Sequence, residues 1–240
     1  MFALQSISDR MVQQTRQWES AADQRAIFLT CYKQMTENML VSLHKSVFHD
    51  AVWVGELLRH FADYYFVALD AYDAGSPATP TVWRQAHDMA NLVESHVLQN
   101  LFLGVNAHIN YDLVLTVVDL LNVEWAQMTP HQRERRYQDY CAVNDIIAQT
   151  IDAVQDDVVE RWSPAMNAVD KMMGRLDEWL VIRLIINWRQ DVWQQAVRIM
   201  EAPQDREFIR AQVERTTQRR AEAVMLKDGW KSLSHFLHEI

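Results

Sequence analysis

Asn106, His108, Asn110 and Asp112 occupy alternate positions inside VLQNLFLGVNAHINYDLVLTVV (97–118), the most continuously apolar stretch of the chain. A polar group buried there without a partner costs roughly 2–7 kcal/mol. Four together must be satisfied by one another, by water or by a ligand. His108 and Asp112 stand at i and i+4, one above the other on a helix face, where imidazole and carboxylate can hold one ion. Asp119 continues that line. Such a donor set suits a divalent Zn, Fe or Mn ion, whose bound water would be the nucleophile. Without metal, the same pair is a general base working near neutral pH. His108 is then the base, Asp112 its orienting partner, and Asn106 and Asn110 position the substrate. The plainer alternative is a buried hydrogen-bonded His–Asp pair that needs no ligand, with the asparagines capping a break near Gly104.

A metal would need more ligands from facing helices, and the candidates are Asp50, Glu56, His60, Asp63, His87 and Glu94. His49, Trp53, Glu56, His60 and Asp63 share one line along a helix, which is a solvated ridge or the wall of a pocket. Residues two apart on a helix point about 200° from each other, so the four alternating polar groups cannot all face one pocket. Either the backbone is irregular over 104–110, or the asparagines face a different neighbour from His108. An irregular segment inside a core would itself mark a functional site.

The elements that must position these residues are helices. Only five glycines and five prolines occur in 240 residues, below the usual ~7% and ~5%, and helix formers outnumber Val and Ile. The expected fold is all-α, a single-domain bundle of about eight helices over residues 1–240. A short helix over 8–19, loosely docked, starts at Ser8-Asp9, and Asp23 caps a second over 23–44. A third covers 50–72 and ends before Gly75. Thr79 caps a helix with Pro80 at its first position; this runs through Trp83, His87, Asn91 and Glu94 towards Gly104, kinks or breaks there, and continues to about 121. Thr129 and Gln132 form a capping box for 130–160. Helices over 164–173, 176–200 and a highly charged 205–226 follow, then a short tail over 230–240.

Several classes are disfavoured. A net charge of −9 gives nucleic acid no general reason to bind. Cys31 and Cys141 have no CxxC spacing and read as two small buried hydrophobes in a reducing compartment. The N-terminus lacks a basic region followed by an apolar one, and the polar centre of 97–118 argues against a membrane span; a cytoplasmic protein is expected. No GxSxG, P-loop, Rossmann, HExxH or paired ExxH motif appears. The charged 205–226 helix is a solvated face or a partner surface. Nine tryptophans suit a core or an aromatic-walled pocket.

The chain resembles an uncharacterised bacterial all-helical family known only as a domain of unknown function. The likeness rests on DQRAIFLTCYKQMT (23–36), FHD (48–50), FADYYFVALDAY (61–72), Trp83, LGVNAHINYDL (103–113), DYCAVN (139–144) and RQDVWQQA (189–196), and the N-A-H-I-N-x-D-L block is its most specific part. It implies a shared fold and a shared site at Asn106, His108, Asn110, Asp112, Asp50 and Asn144; His60 and His87 lie outside its pattern. It brings no activity. A class-level likeness to helical zinc phospholipases C and zinc nucleases stops at His and Asp on one helix, because the chain lacks their full set of spaced histidines.

The leading expectation is an enzyme, either metal-dependent with His108, Asp112 and Asp50 as ligands or metal-free. It would act on a small, partly apolar substrate by hydrolysis or general-base chemistry. The alternatives are a helical module that binds a lipid- or terpenoid-like molecule without turnover, and a helical interaction protein. Homo-oligomer formation is left open.

Overall fold

The computed structural model describes residues 2–92, 95–154, 162 and 178–225. Glu94, the expected helix over 164–173 and the expected tail over 230–240 lie outside the described residues. Eight helices are seen among those described: α1 Phe2–Ser20, α2 Ala26–Leu43, α3 Ala51–Asp73, α4 Thr81–Ala90, α5 Val97–Leu121, α6 Pro130–Val154, α7 Glu178–Glu201 and α8 Arg206–Met225. The described residues contain no strand, and the bundle is all-α as its breaker-poor composition predicts.

Several boundaries follow their caps. Gly75 ends α3 at φ 63°, a conformation that favours glycine. Gln132 Oε1 accepts from the Thr129 N–H at 2.8 Å, and Thr129 Oγ1 from the Gln132 N–H at 3.3 Å, which is the expected capping box. Pro80 is the residue before α4 rather than its first residue, and the Thr79 hydroxyl bonds the Ser76 carbonyl instead of capping. Asp23 accepts from the Arg25 N–H at 2.9 Å but does not cap α2, which begins at Ala26 behind Arg25 with no side-chain cap.

Two expectations are corrected. α1 begins at Phe2 and is firmly anchored, with Met11 and Trp18 buried. The helix from Pro80 does not reach Gly104. It stops at Ala90, and α5 restarts on His96, whose Nδ1 accepts from the Leu98 N–H while Gln99 Oε1 accepts from the His96 N–H. At Gly104 the helix runs on unbroken. The glycine is there for space: a Cβ would lie within 3.0 Å of three carbons of Phe28.

α5 is the axis of the bundle, packed by α2, α3, α4, α7 and α8. By length and composition it could cross a membrane, with a mean hydropathy of 1.4, yet 78% of that window is buried inside the protein. One apolar cluster sets Leu113, Val117 and Leu121 against Val54, Tyr140, Trp193 and Ile199. The other sets Leu98, Phe102 and Leu103 against Leu29, Tyr65, Trp83 and Leu184. α8, nearly free of large apolar residues, docks through Ile209, Val213, Thr217, Ala221 and Val224, a stripe spaced by four, four, four and three. That regular spacing makes it an integral wall of the bundle as well as a charged surface.

Candidate functional site

The middle of α5 is a single π-turn, His108–Asp112, in which the Leu113 N–H reaches the His108 carbonyl five residues back. Such turns are rare and occur mostly singly, often at functional sites. The irregularity expected over 104–110 is therefore found slightly later, as a widened turn rather than an unwound one. The alternation of four polar residues resolves into two interleaved i, i+4 pairs, His108 with Asp112 and Asn106 with Asn110, each with its own neighbours.

The first pair faces α2, α3 and α4. Asp112 Oδ2 lies 2.9 Å from His108 Nδ1, and the Trp83 indole N–H donates to both carboxylate oxygens at 3.1 and 3.0 Å. His108 is buried among aromatic rings: Phe61 stacks on it at 3.5 Å between centroids and Tyr32 meets it edge-on at 4.3 Å. Phe28, Tyr65 and Trp83 complete the enclosure at 5.8, 6.0 and 6.1 Å. The backbone carbonyl of Asp112 is held by the Thr116 hydroxyl at 2.8 Å.

Burial acts on the two ionisable groups in opposite directions. It pushes His108 well below its usual value and Asp112 well above its own, with the Trp83 N–H pulling Asp112 partly back. No described Lys or Arg pairs with Asp112, so the bare carboxylate would be an uncompensated buried charge. The pair is best satisfied sharing one proton, with no net charge. Whichever of the two holds that proton, His108 Nε2 then carries a hydrogen. This Nε2 is buried and makes no hydrogen bond.

His108 is one of the residues around a cavity of about 130 Å³ between α2, α3, α5, α6 and α7. Its walls are chiefly apolar, including Phe28, Met39, Leu58, Phe61, Ile109 and Ile185, and Tyr32, His108 and Arg189 also line it. The Tyr32 hydroxyl, like Nε2, is buried without a partner, while Thr36 and Thr150 bond backbone carbonyls. Cys31 also lines the cavity, and burial pushes its thiol up to about 12, so it is no nucleophile at neutral pH. Both cysteines are free, and they are half-buried rather than buried as expected.

Arg189 of α7 is only 4% exposed. Its Nε donates to Asn144 Oδ1 at 2.7 Å and its Nη2 to the Tyr140 carbonyl at 2.6 Å, with the Tyr140 ring 4.3 Å away. No described carboxylate pairs with it. Asn144, which the family resemblance implied for the site, thus reaches the cavity wall by positioning Arg189.

The asparagines face α8. Asn106, fully buried, donates to the Thr217 carbonyl at 3.0 Å and accepts from Asn110 Nδ2 at 3.0 Å. Arg220 donates to Asn110 Oδ1 at 2.7 Å and pairs with Asp191 at 3.1 Å. Neither asparagine caps a break, and neither faces the His108 cavity; Asn110 instead floors a polar surface groove with Arg215, Arg219 and Arg220. As substrate-positioning residues for His108, Asn106 and Asn110 are therefore corrected.

The expected metal ligands do not converge. Asp50 caps α3, accepting from the Trp53 N–H at 3.0 Å, and its carboxylate pairs with Arg136 at 2.6 Å. Asp112 sits on the Nδ1 side of the His108 ring, so the two cannot ligate one ion through Nε2 while that bond holds. Glu56 and Asp63 pair with Arg59 on the surface beside half-buried His60. His87 is buried against Trp83, 5.4 Å between rings, and Asp119 accepts from the Tyr64 hydroxyl. Among the described residues no three His, Cys, Asp or Glu side chains form a set able to hold an ion. Trp53, odd if exposed, is buried with Arg136 over its ring at 5.1 Å.

Sequence reasoning missed Trp83, Tyr32, Phe61 and Arg189 as site residues. The signal was partial: Tyr32, Phe61, Trp83 and Arg189 all fall in the stretches that carry the family resemblance.

Fold and site define an all-α bundle with a buried imidazole–carboxylate pair at a π-turn in its axial helix. Residues 4–227 match the model of a family of unknown function, DUF5995, and the chain belongs to that family. No curated protein and no solved structure matches the chain.

Proposed function

We propose that the protein binds a small, largely apolar molecule in the cavity between α2, α3, α5, α6 and α7, with one oxygen of that molecule on His108 Nε2. The observation that carries this is the buried, unpartnered Nε2 of a histidine that lines an otherwise apolar cavity. A polar group in that setting costs free energy until something bonds it. Asp112 and Trp83 hold the imidazole in one orientation, so the ring is prepared for a ligand rather than free to turn away. The volume suits a compact molecule, since an apolar cavity of about 150 Å³ takes benzene. The burial of α5 supports its role as a core helix of a soluble chain.

A second reading, that the site is catalytic, is favoured by the Asp112–His108 Nδ1 bond behind an unpartnered Nε2. That is the arrangement of a proton-transfer dyad. The hydrogen on Nε2 would pass to a ligand oxygen while the proton shared with Asp112 settles on Nδ1, leaving a neutral imidazole beside the Asp112 carboxylate.

Isothermal titration with phenol and with toluene tests the binding reading. Phenol should bind about fivefold tighter or more, as one net hydrogen bond predicts, and the His108→Phe variant should lose that difference. Binding of neither aromatic to the wild type would overturn the proposal.

A further inference from the structure

A cation in an apolar wall is a stronger constraint on the ligand than a neutral donor. Arg189 lines the same cavity as His108 and is almost fully buried. A guanidinium keeps its charge in a folded protein, and buried charges are ordinarily matched by an opposite one. Here its partners are the Asn144 side-chain oxygen, the Tyr140 carbonyl and the Tyr140 ring, all of them neutral.

These contacts hold the group still. They take Nε and one terminal nitrogen, and the Tyr140 hydroxyl returns a bond to the Arg189 carbonyl at 2.8 Å, closing a clasp between α6 and α7. A clasp alone does not need a charge in an apolar wall; a neutral donor at the same place would serve it. The planar guanidinium is instead suited to an oxyanion.

We infer that the molecule taken by this cavity is a small apolar monocarboxylate, its carboxylate paired with Arg189 and its hydrocarbon body against Phe61, Leu58 and Ile185. The inference rests on the cavity reading above and narrows it to one class. Asn144 becomes a positioning residue, which sets the angle of the guanidinium without touching the ligand.

The test is titration of the full-length protein with hexanoate, hexan-1-ol and hexylamine at neutral pH. Hexanoate should bind roughly ten- to hundredfold tighter than hexan-1-ol, the range for a hydrogen bond to a charged group, and hexylamine should bind weakest. Arg189→Met, close in volume but uncharged, should keep hexan-1-ol binding and lose the preference for hexanoate. A purely structural Arg189 would give hexanoate no advantage over hexan-1-ol in the wild type, which makes that series decisive even if the variant fails to fold. Hexan-1-ol binding as tightly as hexanoate overturns the carboxylate inference and leaves the cavity reading standing. Binding of none of the three, together with neither phenol nor toluene, overturns both.

Discussion

The indole N–H of Trp83 reaches both carboxylate oxygens of Asp112, 29 residues away in the chain, at 3.1 and 3.0 Å. It is the described side chain on another helix that fixes the carboxylate, and through the carboxylate the orientation of His108.

Trp83→Phe should therefore cost more than its lost volume. It keeps an aromatic ring against Phe28 and Tyr65 but strands a buried carboxyl on its histidine. A loss of about 1–3 kcal/mol is expected for a deprived buried acceptor, with packing loss in addition, measured by urea unfolding. A change within a few tenths of a kcal/mol would show that the bond does not hold the pair.

Gly104→Ala offers a test of sign. In an exposed helix interior the exchange stabilises by about 1 kcal/mol. Here the new Cβ meets the Phe28 ring inside contact distance, and overpacking of this kind costs about 1–3 kcal/mol. Thermal unfolding should show a lowered Tm, partly restored by adding Phe28→Leu. A raised Tm for the single variant would contradict the packing described.

Stability should depend on pH through two separate devices. His87 is buried without a partner at Nε2, and burial pushes it down to about 3. Unfolded chains protonate this residue below about 6.5 while the folded protein keeps it neutral, so stability should fall from pH 6.5 towards 3. His87→Leu should flatten that limb.

The His108–Asp112 pair acts at the other end. Folded, it holds one proton; unfolded, it also holds one between the free values of about 3.9 and 6.5, and none above. Its contribution should be flat in that window, decline as pH rises past 6.5 and decline again below 3.9. Asp112→Asn should remove the alkaline decline in urea midpoints collected from pH 6 to 9. Persistence of that decline in the variant would place its source elsewhere.

Local rules made much of this architecture legible. Thr129 and Gln132 announce α6, Gly75 announces the end of α3, and the i, i+4 spacing places His108 over Asp112. Long-range partnership was hidden. Trp83 reads as one core tryptophan among nine, and nothing local says that its N–H meets Asp112. Asp50 looked like a ligand because a carboxylate's chemistry is visible and its cap and its arginine are not. Helix geometry left the two asparagines either on an irregular backbone or facing a different neighbour from His108, and spacing alone does not name α8 as that neighbour. Arg189 lies in a long helix with Trp179, Trp188 and Trp193, and nothing local says that its guanidinium meets Asn144.

The π-turn makes the site a matter of counting. It amounts to one residue more than the α-helix around it needs, and each residue of a helix is worth about 100° of rotation. Losing a single codon between His108 and Asp112 would restore a regular helix and keep Leu113, Val117 and Leu121 on the face that packs now, while removing the turn that sets His108 against Asp112. Gaining one would find no slack left and would swing the same residues by about 100°. Drift in length is thus open in one direction only. Lineages that have given up the site should differ through α5 by a gap of one residue.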